Sequence, residues 1–135
     1  MKVVIDKDCF MPERAHAEDA GLDFKSPVDE WIHPGEHVVI DTGVHCEIPK
    51  GYVGLITSKS GLMAKGITVR GTIDACYTGS IKAVMYNHGG EGFKVQRGMK
   101  VCQMVLVPII TPPLEVVDSL EKTERGSGGF GSTGA

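Results

Sequence analysis

The residues with the greatest chemical potential lie in the stretch 71–79, Gly-Thr-Ile-Asp-Ala-Cys-Tyr-Thr-Gly. The Asp74 carboxylate beside apolar Ile73 is suited to act as a general base, and the Tyr77 ring is suited to cover a flat or apolar ligand. A glycine at each end permits a sharp turn or a close approach of the backbone to a ligand. The alternative is an ordinary hairpin in which Asp74 caps a turn and Tyr77 packs. Taken alone, the stretch favours that alternative.

A second stretch, residues 58–66, could bind an anion. Small hydroxyls and Gly61 open a short helical segment predicted over residues 60–65, so backbone N–H groups are free to point at a phosphate, and Lys59 adds a positive charge. The competing account is a plain N-cap by Ser58 or Ser60, which is the commoner use of serine at such a position.

Two polar side chains interrupt apolar stretches. Asp23 stands between Leu22 and Phe24, so in a strand those two would face one side and Asp23 the other. In isolation this pattern favours a solvated surface charge; the alternative is a carboxylate that holds water around Mg²⁺, which keeps its waters and uses few carboxylates. Gln103, within residues 98–105, needs hydrogen-bond partners in the core or on a ligand, and the strand pattern favours neither.

The C-terminal segment, residues 125–135, is rich in glycine and cannot pack a core, so its composition predicts a flexible tail. A plain linker, however, has no need of Arg125 or of Phe130 among the glycines. One cation and one aromatic ring on a mobile backbone describe a lid that closes over a charged ligand with a flat ring. We therefore divide the chain into a β-domain, residues 1–124, and a mobile arm, residues 125–135.

Length and charge limit the remaining possibilities. A chain of 135 residues has room for one domain, and a net charge of -3 argues against a general nucleic-acid binder. No apolar run is long enough for a signal peptide or a membrane span, so we expect a cytoplasmic protein without nucleic-acid or membrane partners. The five histidines lack metal-ligand spacing, and we expect surface or packing roles for them. We expect buried or half-buried free thiols at Cys9, Cys46, Cys76 and Cys102.

The elements that must position these residues are mostly strands. Alternating or β-branched apolar runs predict strands at 38–40, 44–48, 52–57, 81–86, 93–95 and 101–110, with Gly, Pro and Asn turn signals between them. Many short strands with almost no helical period indicate an all-β barrel or double-sheet fold. At most one or two short helices are expected, at 60–65 and at 118–124, where a loop fits equally well.

Five stretches resemble, in their order along the chain, the five motifs of the homotrimeric dUTPases, which hydrolyse dUTP to dUMP and pyrophosphate. These stretches are residues 20–26, 58–66, 71–79, 98–105 and 125–134. The match runs from Ala20 to the C-terminus, and the Gly-x-Ile-Asp-x-x-Tyr-x-Gly core and the Arg-Gly-x-Gly-Gly-Phe tail are specific together. The resemblance implies a distorted, jelly-roll-like barrel, a homotrimer with shared active sites, and Mg²⁺ as cofactor. The implied cellular role is to limit uracil in DNA and to supply dUMP for dTTP synthesis.

The resemblance also implies residue roles. Asp74 would position and deprotonate the water that attacks the α-phosphorus, and Tyr77 would lie against the deoxyribose and leave no space for a 2′-hydroxyl. Backbone groups between Thr68 and Ile73 would read uracil in a pocket too tight for the methyl group of thymine. Asp23 would contact Mg²⁺ only through water, in its outer shell.

The phosphate and lid contacts follow from the same resemblance. Lys59, Ser60, Gly61 and Gln103 would face the phosphates, Arg125 would reach the γ-phosphate, and Phe130 would cover the uracil. The full implied substrate-binding set is Lys59, Ser60, Gly61, Thr68, Gly71, Thr72, Ile73, Tyr77, Lys82, Gln103, Arg125, Phe130, Gly131, Ser132 and Thr133.

Four residues depart from the family pattern. Lys59 and Lys100 stand where arginine is common, and lysine keeps the charge but loses the planar fork that binds phosphate in two places. Cys76 replaces a frequent second acid, and Thr68 occupies a position at which several bacterial members have asparagine. We expect binding that is weaker or differently tuned, in an enzyme that is still active.

Three alternatives remain at this stage. The related dCTP deaminases share the fold and triphosphate site, but they need an acidic residue to activate water against cytosine, and the stretch 71–79 contains no glutamate; their tails also lack the Arg-Gly-x-Gly-Gly-Phe pattern. A dUTPase-like trimer that uses nucleotide occupancy to control a protein partner is a binding module rather than an enzyme. A purely structural β-domain would bind no nucleotide.

Overall fold

The computed structural model describes residues 1–132 and 134, and it is built almost entirely of strands. A single short helix, α1 (Ser60–Met63), is present in this part of the chain. The strands are β1 (Val3–Ile5), β2 (Leu22–Lys25), β3 (Glu30–Ile32), β4 (His37–Asp41), β5 (Val44–Cys46), β6 (Tyr52–Thr57), β7 (Ile67–Ile73), β8 (Lys82–Asn87), β9 (Phe93–Val95) and β10 (Lys100–Pro108).

The all-β prediction is confirmed, as are the strands predicted from alternation, several of them to within one or two residues. The helix predicted at 60–65 is present but shorter, whereas residues 118–124 form no helix and match the loop alternative. No helix among the described residues is long and apolar enough to cross a membrane.

Six of the strands form one curved antiparallel sheet in the order β2-β10-β6-β7-β8-β4, and two smaller sheets pair β1 with β5 and β3 with β9. Alternation along the strands builds the core: in β8, Ala83 and Met85 are fully buried while Lys82 and Tyr86 face outward. The core consists of aliphatic side chains from most of the strands, together with Phe24.

Strand β7 divides its pairing between two neighbours, and this division shapes the surface. Its first residues, 67–69, pair with 85–87 of β8. Its last residues, 70–73, pair instead with 54–57 of β6. The β7–β8 hairpin is therefore joined at one end and splayed at the other.

The cysteines follow the expectation with one exception. Cys46 and Cys102 are buried, and burial raises the pKa of their thiols to about 11 and about 12 respectively. Cys9 is half-buried, but Cys76 is exposed, because it lies in the surface loop between β7 and β8 rather than in a strand.

Candidate active site

The loop that joins β7 to β8, residues 74–81, carries Asp74 and Tyr77 on a compact turn. The Tyr77 N–H donates to the Asp74 carbonyl at 3.0 Å, and the Tyr77 hydroxyl donates to the Ser80 carbonyl at 2.9 Å. A Cβ at position 79 would overlap the Tyr77 ring, so Gly79 allows the ring to fold back across the turn. Tyr77 is thereby held at the surface, 41% exposed, and not packed in the core.

A cleft of about 280 Å³ opens where the hairpin splays. Residues 70–73 of β7 pair with β6, and residues 82–84 of β8 pair with 39–41 of β4, so the edges that face each other across the cleft are not paired together. Such edges present backbone N–H and C=O groups to a ligand. The cleft is lined by Arg70, Gly71, Thr72, Ile73, Asp74, Tyr77, Ser80, Lys82 and Val84.

This cleft brings together six residues of the site predicted from sequence, namely Gly71, Thr72, Ile73, Asp74, Tyr77 and Lys82. Thr68 lies outside it, on the paired half of the hairpin, where its Oγ1 is 2.8 Å from His88 Nε2. The sequence argument missed Arg70, Ser80 and Val84. The available signal was the alternation along each strand, which puts Arg70 beside Thr72 and Val84 beside Lys82 on outward faces.

The far side of the loop is anchored to the corner between β4 and β5. Ile81 donates its N–H to the Val44 carbonyl at 2.8 Å, the Thr42 hydroxyl donates to the Ile81 carbonyl at 2.7 Å, and the Ser80 hydroxyl donates to the Asp41 carboxylate. Partial burial opposes ionisation of Asp41, but the hydrogen bonds from Ser80 and from the Gly43 N–H outweigh it and lower the pKa of that carboxyl. These contacts fix the far side of the loop to the β4–β5 corner.

A second cluster surrounds the start of α1. The Ser58 hydroxyl accepts a hydrogen bond from the Val69 N–H at 2.7 Å, and Gln103 Nε2 donates to the Ser58 carbonyl at 3.3 Å. The helix N-cap is Lys59, with no side-chain cap, so the competing account of a plain cap by Ser58 or Ser60 is wrong. No acceptor among the described residues takes the N–H of Ser60 or Gly61. These two donors are available to an anion.

Asp23 lies at the centre of this cluster. It is 3% exposed, with Lys59 Nζ at 2.5 Å and Lys100 Nζ at 2.9 Å. Glu13 completes the network, 3.2 Å from Lys100 and 3.0 Å from Lys25. Burial acts to raise the pKa of Asp23, but the two ammonium groups on Asp23 outweigh it and hold the pKa below its usual value.

The solvated surface charge that the local pattern favoured for Asp23 is therefore wrong. The backbone at Glu13 bridges to Asp23 on the edge of β2, with hydrogen bonds of 3.1 and 2.8 Å in the two directions. That covering segment and the two lysines together remove Asp23 from solvent, although it alternates with apolar neighbours. Among the described residues, no group of three or more His, Cys, Asp or Glu side chains could hold a metal ion.

The two clusters lie toward opposite ends of β7. Ser58 is bonded to Val69, whereas Asp74 follows the strand five residues later. At about 3.3 Å per residue, Val69 and Asp74 are about 17 Å apart along the strand. The Asp74 cleft and the cluster around Lys59 are therefore separate regions of this chain.

The C-terminal arm is separate from both clusters in this chain. Arg125 Nε donates to the Gly128 carbonyl at 3.0 Å, and Phe130 is fully exposed. In the described part of the arm, which includes Gly131 and Ser132, no hydrogen bond or ion pair reaches Asp74 or Lys59. Thr133 lies outside the described residues.

Comparisons with known proteins place the chain among its relatives. The sequence model of the dUTPase family matches residues 7–134. A deoxyuridine 5'-triphosphate nucleotidohydrolase of Clostridium tetani (strain Massachusetts / E88) is 44% identical over 135 residues, covering 97% of this chain and 93% of the relative.

Two solved structures extend the comparison. The Staphylococcus bacteriophage 80alpha dUTPase with dUPNHPP has a TM-score of 0.92 and 34% identity, covering 99% of this chain and 98% of that chain. Phage dUTPases are described with that structure as controlling transfer of virulence genes by a proto-oncogenic G protein-like mechanism. A mutant dUTPase from phage phi11 of S. aureus, described as coordinating a structural Mg(II) ion, has a TM-score of 0.81 and 33% identity, covering 90% of this chain and 98% of that chain.

Proposed function

The chain belongs to the dUTPase family, and from that premise we propose that it hydrolyses dUTP to dUMP and pyrophosphate with Asp74 activating the attacking water. Its relatives are named as dUTP-hydrolysing enzymes, so the chain is a dUTP diphosphatase, and its jelly-roll-like all-β fold is that of the family. The observation that carries the mechanism is the splayed hairpin, whose unpaired edges line a cleft that ends at Asp74 and Tyr77.

The unpaired backbone of residues 70–73 is suited to recognise uracil. Uracil presents an N–H between two carbonyl oxygens, whereas cytosine presents a bare nitrogen beside an amino group. A backbone C=O that accepts from the uracil N–H would face the bare nitrogen of cytosine, and a backbone N–H that donates to a uracil carbonyl would face the cytosine amino group. Because these polar groups would stay unpaired in the cleft, discrimination against cytosine is strong. We assign the deoxyribose to the Tyr77 ring, whose fixed position would exclude a ribose 2′-hydroxyl.

The chemical step needs a base and a place for negative charge. Asp74 takes a proton from water as the water oxygen bonds to the α-phosphorus, and the bond from that phosphorus to the bridging oxygen breaks with its electrons leaving on pyrophosphate. Charge on the departing phosphates would be met by Lys59, Gln103 and the free N–H groups of Ser60 and Gly61. Arg125 would add a second cation when the arm closes.

Magnesium fits this site if the substrate and water supply its ligands. Each Asp23 oxygen accepts one lysine ammonium and retains acceptor capacity for a water molecule, so an outer-shell role is compatible with the geometry. When bound, the ion would neutralise charge on the triphosphate. The lysines hold Asp23 ionised and oriented whether or not the metal is present.

The separation of the clusters supports an assembly with shared sites. We propose a homotrimer in which the Asp74 cleft of one chain faces the cluster around Lys59 of a second. Phe130, with Gly131, Ser132 and Thr133, would then cover the base from a neighbouring arm, and Thr68 and Lys82 would complete the nucleoside side. In the cell, such an enzyme limits uracil in DNA and supplies dUMP for dTTP synthesis in the cytoplasm.

The decisive variant is Asp74→Asn, which keeps the shape of the side chain and removes its basicity. We expect turnover of dUTP to be abolished while a non-hydrolysable dUTP analogue, followed by calorimetry, binds with nearly unchanged affinity. Glu36→Gln is the matched control, because Glu36 is exposed and its side chain makes no hydrogen bond among the described residues. Turnover that persists in Asp74→Asn would contradict the assignment of the base.

Product analysis separates this enzyme from a deaminase. Incubation with dUTP should give dUMP and pyrophosphate, and incubation with dCTP should leave dCTP unchanged. Conversion of dCTP to dUTP would overturn the proposed reaction.

A second function, nucleotide-controlled binding of a protein partner, is favoured by the description of the phage relative that matches over almost the whole chain. Asp74→Asn tests this as well. A biological effect that survives the loss of turnover would assign it to the nucleotide-bound protein and not to catalysis.

A further inference from the structure

The loop that carries Asp74 and Tyr77 is held at its middle by one imidazole. His45, on β5, has its Nδ1 2.8 Å from the carbonyl oxygen of Thr78, and Thr78 is the residue that follows Tyr77. A carbonyl only accepts hydrogen bonds, so this contact requires a proton on Nδ1. His45 does not line the nucleoside cleft, and its contact is with the back of the loop.

The other ring nitrogen faces a second acceptor. His45 Nε2 is 3.4 Å from one oxygen of Asp6 and 3.5 Å from the other. Asp6 follows β1 and is itself fixed, because its N–H donates to the Gly43 carbonyl at 2.8 Å. A neutral imidazole has one donor and one acceptor nitrogen, so it would turn a lone pair toward either the carbonyl or the carboxylate. Only the doubly protonated ring satisfies both contacts.

We propose that His45 is a positioning residue for dUTP hydrolysis, whose doubly protonated ring ties Thr78 to Asp6 and thereby fixes Tyr77 and Asp74 for the reaction. This inference rests on the function proposed above. The loop transmits the constraint because Tyr77 is bonded to Asp74 on one side of Thr78 and to Ser80 on the other. Loss of a proton from His45 removes one of the two contacts and leaves the middle of the loop less constrained.

The charges around the ring favour the protonated form. The Thr78 carbonyl raises the pKa of His45, partial burial opposes this, and Asp6 and Asp41 raise it further. Both contacts of the His45 ring, to Thr78 and to Asp6, are therefore present below the usual histidine pKa of about 6.5. One of them is lost as pH rises through the higher pKa of His45 in the folded protein. Lys82 lies 3.9 Å from Asp41 and offsets part of that carboxylate's effect. The other ionisable groups nearby are the Lys2–Glu47 ion pair, which lines the same cavity, and Cys9, whose thiol pKa is raised by burial and by Asp6 and Asp41.

The kinetic test is the pH profile of kcat and KM for dUTP between pH 6 and 9. With one charge-assisted hydrogen bond at stake, we expect wild-type kcat to fall about 3- to 10-fold as His45 deprotonates. His45→Gln should abolish that limb of the profile and keep part of the activity, because an amide can still donate to Thr78, and His45→Ala should be lower. Asp6→Asn should move the limb to lower pH.

His33→Gln is the control for loss of an exposed imidazole, because the His33 side chain makes no hydrogen bond in the described chain. It should reproduce the wild-type profile. Melting temperatures of all variants, measured at one pH, separate loss of the tie from loss of fold. A limb that is unchanged in His45→Gln would overturn the proposal.

A readout that does not depend on turnover comes from NMR of the ¹⁵N-labelled protein without nucleotide. The amide of Gly79 should titrate with the same midpoint as the His45 ring, and that titration should vanish in His45→Gln. If the Gly79 amide does not follow His45, the positioning role is refuted even if dUTP is hydrolysed. If it does follow while the protein fails to hydrolyse dUTP, the tie stands and the proposed function fails.

Discussion

Replacing Asp23 with asparagine tests the charge network that underlies the cluster around Lys59. The substitution preserves the shape of the side chain but removes the negative charge from a group that is 3% exposed and contacts Lys59 at 2.5 Å and Lys100 at 2.9 Å. The asparagine side chain has one acceptor oxygen and one NH₂ donor, so it can accept a hydrogen bond from one lysine ammonium group and would turn a donor toward the other. We expect Asp23→Asn to unfold more easily than the wild type at neutral pH.

The size of the effect follows from the burial of each partner. Breaking a buried ion pair costs about 3–5 kcal/mol, and exposed pairs contribute only about 0–1 kcal/mol. Asp23 is buried, but the lysine side chains are 30% and 32% exposed and can turn toward water when the carboxylate is lost. An intermediate value of about 2 kcal/mol in the free energy of unfolding is therefore expected.

The pH dependence identifies the cause. Because the folded pKa of Asp23 is depressed, its contribution is complete above the unfolded value of about 3.9 and is lost as pH falls through the folded value. Urea unfolding at pH 7 should thus separate wild type from Asp23→Asn, and the difference should shrink near pH 3. Both proteins must be compared at one concentration, since an assembled protein gains stability from association.

Asp118→Asn provides the matched control, because Asp118 is exposed and makes no ion pair in the described residues. It should unfold like the wild type at both pH values. A difference for Asp23→Asn that stays equal at pH 7 and pH 3 would refute the electrostatic explanation and would indicate a packing defect instead.

Three further predictions concern the loop and the arm. Removing the residues after Glu124 should abolish most turnover with little change in melting temperature, because the described part of that segment lies almost wholly on the surface; a large fall in melting temperature would contradict this. Phe130→Ala should weaken closure over the nucleotide by roughly 1–3 kcal/mol if its ring stacks on the base, and unchanged kcat and KM would show that the ring does not meet the base. Gly79→Ala should displace the Tyr77 ring, because the added Cβ would overlap it, and should raise KM for dUTP while far-UV circular dichroism stays unchanged; a normal KM would mean that the ring position is not needed.

The strands that could be predicted are those in which a local pattern agrees with tertiary pairing. Tyr52–Thr57 and Phe93–Val95 have the bounds that their apolar runs and flanking turns indicate. Strand β7 was not predicted, although Ile67 and Val69 are buried and alternate with outward residues. A glycine at 71 interrupts its apolar run, and the strand is completed by two different partners, β8 and then β6, which no local pattern specifies.

The sequence predicts which residues belong to the candidate site better than it predicts the burial and the contacts of each residue. The cleft assembles Asp74 and Tyr77 as the motif suggested. The environment of Asp23 could not be predicted, because its partners Lys59 and Lys100 are 36 and 77 residues away in the sequence. Alternation predicts on which face of the strand the Asp23 side chain lies. Whether that face is exposed to solvent depends on the segment near Glu13 that covers it.

The division of β7 between two neighbours links these observations to function. Pairing with β8 over residues 67–69 holds the strand near Ser58 and the cluster around Lys59, and release from β8 over residues 70–73 opens the cleft beside Asp74. Because the strand rises about 3.3 Å per residue, these two features lie about 17 Å apart along it. Under the proposed mechanism, the water that Asp74 activates and the phosphates that Lys59 contacts belong to one substrate, and this separation is the reason for which we propose that a neighbouring chain supplies Lys59.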